Sequence, residues 1–301
     1  MKIGFLTNCF GKSDMPDLAS IANWAADNGF RALEIGPSIP LDEKQFGDVL
    51  SKGKITFSAF IYCRNVLSSK TEEAQGHINA LMDRIRFAKK FGIKNIVCTT
   101  GVKENSFSTV NPTQFLPENS LDGAVELFKK FADEAEKNDV RIAFELCPSM
   151  SNIMISPYMW DLFFDKLKSD RIGLCFDPSH LVWMFIDSYQ VLKDYRSKIF
   201  HVHGKDTEVD YNALGKSGIL HIVSPVKTDI TLPHGNNRHL WWRHRLPGFG
   251  SLDWGKIISL LYEINYSGDL SIEHEDPVWG GSGDKVKAGL LRSKKYLEQF
   301  V

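Results

Sequence analysis

Four stretches decide how this chain folds: RIAFELCP at 141–148, RIGLCFDPSH at 171–180, KIFHVHGKD at 198–206 and LSIEHEDP at 270–277. Each begins as a continuous apolar run and turns polar at its end, at Glu145, at Asp177 and His180, at His201, His203, Lys205 and Asp206, and at Glu273, His274, Glu275 and Asp276. Continuous rather than alternating apolar runs are what parallel strands covered on both faces require. Working outward, the same kind of run recurs at Lys2–Leu6, Ala32–Ile35, Lys54–Phe60 and Asn95–Thr99. With Arg141–Leu146, Ile172–Asp177, Ile199–His203 and Leu270–His274 that makes eight strands.

Segments of helical period lie between them. Leu18, Ile21, Ala22 and Ala25 form one apolar stripe before Asn28-Gly29, and Ile78, Leu81, Met82, Ile85 and Ala88 form another before Phe91-Gly92. Two more, on Leu121–Ala135 and Ile257–Ile264, also end at turn residues, as helices stopped by a left-handed cap do. Alternating strands and helices predict a parallel sheet. Eight such units point to an α/β fold: a single (β/α)8 TIM barrel over residues 1–301. A doubly wound open sheet is the alternative, but no GxGxxG follows Lys2–Leu6, which removes its usual dinucleotide-binding form. The chain of 301 residues exceeds the roughly 250 of a minimal barrel. The excess falls in 204–250, a long active-site loop after the seventh strand with no convincing helix of its own.

Lys+Arg (36) and Asp+Glu (37) nearly cancel, so nothing draws the chain to nucleic acid or an anionic membrane. Five cysteines, odd in number and without a CxxC pair, argue against a disulfide framework or a thiolate zinc site and read as small buried hydrophobes. The N-terminal MKIGFLTNCF reads as a first strand rather than a signal peptide, and no stretch approaches about 18 apolar residues. The expected location is cytoplasmic.

In a barrel of this type the active site lies where the strands end. Four consecutive strands ending in carboxylate or imidazole can converge on one ion, because neighbouring strands lie about 4.8 Å apart. Oxygen and imidazole donors without thiolate suit one divalent cation, Mn²⁺, Mg²⁺, Co²⁺ or Zn²⁺. Removing a proton alpha to a carbonyl needs such an electrophile on the oxygen and a base beside the carbon.

FELCP (144–148), FDPSH (176–180), HVHGKD (201–206) and IEHEDP (272–277) resemble the xylose isomerase-like TIM barrels, which include sugar isomerases and epimerases and the endonuclease IV proteins. The resemblance implies that Glu145, Asp177, His203 and Glu273 bind one divalent metal, and that His180 contacts a substrate oxygen. It implies proton transfer by Glu145 and Glu273 through an enediolate on a small-molecule sugar, and homo-oligomers (dimer or tetramer) of this chain. The endonuclease branch needs histidines at the ends of strands three and four; here these read FIYC (60–63) and CTTG (98–101), so no nucleic-acid partner is expected.

The ketose 3-epimerases carry an arginine just beyond the strand-seven histidine. This chain has Lys205-Asp206 there, and Arg245 is the candidate to supply the cation from another direction. Lys205 reads as an acid, an oxyanion partner or simply a salt bridge to Asp206. HxHxKD with EHED also resembles the branch acting on 3-keto-sugars and 3-keto-glycosides, so a metal-dependent lyase or hydratase is the alternative. A platform for a second sugar or aglycone would come from Trp241, Trp242 and Phe249; the alternative is that they pack the loop on the barrel rim or at a dimer interface. A barrel that binds sugar or metal without catalysis is the third reading.

Overall fold

The computed structural model describes every residue except 12, 107–114, 149 and 221–240. Seven strands come first: β1 (Ile3–Leu6), β2 (Ala32–Ile35), β3 (Thr56–Tyr62), β4 (Asn95–Cys98), β5 (Arg141–Glu145), β6 (Ile172–Phe176) and β7 (Ile199–Gly204). β8 (Asp206–Val209) and β9 (Trp242–Arg245) follow, then β10 (Leu270–Ile272). β1 to β7 and β10 close a parallel barrel in which β10 joins β7 to β1. All eight expected strands are present. The third is shifted, because Ala59–Tyr62 is the part that pairs with Asn95–Cys98.

Helices α1 (Leu18–Asp27), α2 (Glu43–Ser51), α3 (Thr71–Lys90), α4 (Glu118–Asn138) and α5 (Pro157–Lys166) cover the outside of the first strands. The short α6 (Pro178–Trp183) and α7 (Ser188–Asp194) lie between β6 and β7. After β8 comes α8 (Tyr211–Ser217), and α9 (Trp254–Glu263) and α10 (Gly283–Leu297) complete the ring. Asp17, Asp42 and Asp253 each accept a backbone N–H at the first turn of their helix, satisfying donors that the helix itself cannot. On α4, Leu121, Ala124, Phe128, Phe131 and Ala135 are buried against the barrel, and Asp139 (φ 54°) ends the helix in a left-handed turn.

Two apolar layers result. The larger lies between strands and helices. The smaller, Leu6, Ala59, Ile61, Cys63, Val97, Ala143, Cys175 and Phe200, is a separate cluster contributed by β1 and β3 to β7. Side chains alternate along a strand, so residues two apart share a face. That period puts His203 and Lys205 in line with His201, Glu145 with Ala143, Asp177 with Cys175, and Glu273 with Ser271. The strands therefore deliver their ionisable residues to one place at the carboxyl end of the barrel.

The expected helix-free loop needs correction. Its described residues form an antiparallel pair, β8 with β9, registering Asp206 with Arg245 and Val209 with Trp242, and the short helix α8; the rest of the call, 221–240, lies outside the described residues. Asp206 fixes the base of this hairpin. Its buried carboxylate accepts from Thr207 N (2.8 Å), Leu252 N (3.1 Å) and Trp254 Nε1 (3.1 Å). Burial pushes its pKa up to about 6, against those hydrogen bonds. Gly250 must be glycine here, since a Cβ would lie 2.1 Å from Asp206 Oδ1 and 2.8 Å from Thr207 N. Gly250→Ala should cost about 1–3 kcal/mol by overpacking, read as a lowered Tm. An unchanged Tm would show that the hairpin base is looser than described. Among the described residues no helix is long and apolar enough to cross a membrane.

Candidate metal centre

Glu145, Asp177, His203 and Glu273 bring one ligand atom each into a set whose members all lie within 4.8 Å of one another. Glu145, Asp177 and His203 are buried, and Glu273 is 14% exposed at the side chain. His203 Nδ1 lies 2.9 Å from Glu145 Oε2, 3.1 Å from Glu273 Oε2 and 3.9 Å from Asp177 Oδ2. The opposite edge of the ring, Nε2, lies 3.0 Å from Glu34 Oε2. If Nε2 carries the hydrogen for Glu34, Nδ1 presents a lone pair to three carboxyl groups. His203 Nδ1, Glu145 Oε2 and Asp177 Oδ2 are buried without a hydrogen bond. Carboxyl groups crowded this closely are costly to bury unless a cation lies among them, whether the Lys205 ammonium, a proton on Nδ1 or a metal ion in that proton's place. Ligand distances of about 2.0–2.2 Å place donor atoms at most about 4.4 Å apart, so the set needs little closure to hold an ion. The residues fit a divalent cation.

Burial opposes charge on His203, but the surrounding anions, Glu34, Glu145 and Glu273 among them, outweigh it and hold its pKa well above the usual imidazole range. Asp177 is shifted upward, chiefly by burial, although Lys205 opposes the shift. Lys205 is 2% exposed and does not pair with Asp206. Its Nζ lies 2.9 Å from Asp177 Oδ2, 2.7 Å from Glu273 Oε2 and 3.1 Å from Glu275 Oε2. Burial works against its charge too, and those carboxylates more than restore it. Lys205 thus answers part of the negative charge of the cluster and shares Glu273 Oε2 and Asp177 Oδ2 with His203 Nδ1.

His180 sits beside the set, its Nε2 3.4 Å from Asp177 Oδ2 and 3.8 Å from Glu145 Oε1. Burial, then Lys205, keeps it well below the usual histidine range, so a neutral ring faces the site. A cavity of about 180 Å³ opens beside these groups, lined by Glu145, His180, Lys205, Glu273 and Glu275 on one side and Asn8 and Arg64 elsewhere on its wall.

Three residues expected at a substrate have other partners in this structure. Asp206 braces the hairpin. Arg245 donates Nε to Asp276 Oδ2 at 2.8 Å and pairs through Nη1 with Glu208, tying the hairpin to the turn after β10. Trp242 lies flat on Trp183, centroids 4.5 Å apart and planes 4° apart, and is 7% exposed, so it offers no open stacking platform. The hairpin reaches the site through another residue: His244 on β9 meets His180 edge to face at 5.1 Å.

Sequence reading passed over Glu34 and gave no task to His201 and Glu275. Glu34 is fully buried on β2 and hydrogen bonds across the barrel to His201 and His203 on β7. The signal was present, a single carboxylate inside the apolar run Ala32–Ile35.

Sequence comparison aligns 99% of this chain with 97% of inosose dehydratase from Clostridium perfringens at 23% identity. Among solved structures, a 3-keto-D-glucoside 4-epimerase from E. coli superposes with a TM-score of 0.71 at 14% identity, covering 99% of both chains. A zinc-bound protein named IOLI superposes with a TM-score of 0.66 at 19% identity, covering 100% of this chain and 99% of that one. At such identities the structural likeness is one of fold. The family model of the xylose isomerase-like TIM barrel matches residues 22–296, a span that holds seven of the eight barrel strands and all four converging ligand residues, and the chain belongs to that family.

Proposed function

We propose that the protein is a divalent-metal-dependent enzyme that removes a proton alpha to the carbonyl of a sugar or related polyol, and that epimerisation or aldose–ketose isomerisation is the outcome. The observation that carries this is the convergence of three carboxyl groups and His203 Nδ1 on one buried point beside a cavity. A divalent ion bound there supplies Lewis-acid polarisation of the carbonyl oxygen and its neighbouring hydroxyl. Glu145 and Glu273 are the proton-transfer residues: one takes the proton from carbon, and the other returns one to the opposite face or to the adjacent carbon. Glu145 is held by Leu146 N on Oε1 (2.8 Å) and Glu273 by Lys205 on Oε2, so the two carboxyl groups are oriented before substrate arrives. His180, neutral, is the substrate-hydroxyl contact. The cavity, smaller than the roughly 300–1,000 Å³ of drug-sized sites, suits one sugar ring better than a glycoside.

Elimination is the second reading, favoured by the full-length likeness to inosose dehydratase and by Lys205 and Glu275 in the cavity wall. The first step is the same; a hydroxyl beta to the carbonyl then leaves as water. Products separate the two. The Mn²⁺-loaded protein should turn a ketose or 3-keto-sugar into an epimer or isomer visible by NMR, without an enone band in the ultraviolet. An enone with no epimer would overturn epimerisation in favour of elimination.

A further inference from the structure

Glu34 stands on β2, separated from β7 in the barrel order by two strands, β1 and β10. It is fully buried, yet neither the proposed proton transfers nor the four-ligand set uses it. Its carboxylate spans both inward histidines of β7. Oε2 lies 3.0 Å from His201 Nε2 and 3.0 Å from His203 Nε2, and Oε1 lies 3.1 Å from His203 Nε2. The rings of His201 and His203 meet at 87°, centroids 5.4 Å apart, so each presents one edge to the same carboxylate.

A neutral imidazole carries hydrogen on one nitrogen only, and the partner of one nitrogen decides which. A carboxylate accepts and never donates, so each Nε2 facing Glu34 is the protonated one. For His203 the consequence reaches the other edge, because Nδ1 is the atom that faces Glu145, Glu273 and Asp177. We infer that Glu34 is a positioning residue for the metal centre: it holds Nε2–H of His203, thereby leaving Nδ1 free to ligate a divalent cation, while His201 keeps the carboxylate aimed. This rests on the metal reading given under Proposed function. The alternative, that Glu34, His201 and His203 hold a second ion, is disfavoured because both Nε2 atoms sit at hydrogen-bond distance from the same oxygen, and a cation would have to replace those hydrogens.

The test is Mn²⁺ affinity, by competition with a chelator, for the wild-type full chain, Glu34→Gln and Glu34→Asp. Ring ¹⁵N–¹H spectra of histidine-labelled protein with and without Zn²⁺ accompany it, and His203→Ala identifies the His203 signal. A glutamine removes the negative charge that holds both Nε2–H groups, and with its oxygen in the place of Oε2 it sets its own N–H₂, in the place of Oε1, against His203 Nε2. Glu34→Gln should therefore bind Mn²⁺ about 10–100-fold more weakly, the range seen when outer partners of a ligand are removed. Glu34→Asp, which keeps the acceptor, should recover part of that loss. The wild-type His203 ring should show hydrogen on Nε2 in the Zn²⁺-loaded state, a result that needs no variant to fold. Unchanged Mn²⁺ affinity in a folded Glu34→Gln protein, or hydrogen on Nδ1 in the loaded wild type, would overturn the inference. Two tightly bound ions per chain would overturn it in favour of a second site. A wild-type chain that binds no Mn²⁺ would overturn the metal reading itself, and this inference with it.

Discussion

Glu273→Gln should bind its metal and lose about 10²–10⁴-fold in turnover, the range that one positioned acid–base group contributes. The substitution is informative because of how Glu273 is held. Its Oε2 both accepts from Lys205 and faces His203 Nδ1. A glutamine oxygen can take the same place, keeping the Lys205 contact and the ligand, while the amide can no longer remove or return a proton. The matching change at Glu145 is less clean. Leu146 N donates to Glu145 Oε1, so a glutamine there would give its oxygen to Leu146 and turn its N–H₂ toward the ion. Glu145→Gln should therefore lose both turnover and metal. Metal content per chain and kcat, measured together, separate the cases. Near-native kcat in metal-loaded Glu273→Gln would remove Glu273 from the proton-transfer role.

His203→Ala should weaken metal binding by more than the roughly 100-fold that loss of an outer partner can cause, because it deletes a ligand rather than a ligand's support. It also leaves Glu34 with only His201, and Glu145 and Glu273 without the group that lies 2.9 and 3.1 Å from them. Buried carboxylates stripped of a partner are destabilising, so Tm should fall in the same variant. Elemental analysis after dialysis checks the first effect and thermal unfolding the second. Metal retained at the wild-type level would show that the ion is held without the seventh strand.

The barrel was legible because parallel strands covered on both faces must be continuous apolar runs, and every run that the chain contains at that spacing became a strand. The site was legible where a strand end turns polar, since the polar residue then stands at the mouth. Glu34 escaped because it is a contact across the barrel. Nothing local in Ala32–Ile35 says that its carboxylate meets two rings that lie 167 and 169 residues further along the chain. The hairpin escaped for a related reason. Asp206–Val209 and Trp242–Arg245 are short, largely polar strands whose pairing depends on Asp206 capturing Thr207, Leu252 and Trp254, an arrangement no periodicity reveals. The partners of Arg245 and Trp242 follow from it. Both looked like loop side chains free to reach a substrate, whereas β9 commits one to Asp276 and Glu208 and the other to Trp183.

The most direct test of metal-dependent proton abstraction is exchange in D₂O. The protein is incubated with a panel of ketoses and 3-keto-sugars, metal-loaded, stripped with a chelator, and reloaded with Mn²⁺. At least one substrate should take up deuterium at the carbon beside its carbonyl with loaded protein, lose that exchange on stripping and regain it on reloading. Exchange that survives complete removal of the metal would contradict the account, as would metal-loaded protein that binds a keto-sugar and leaves every such carbon unlabelled.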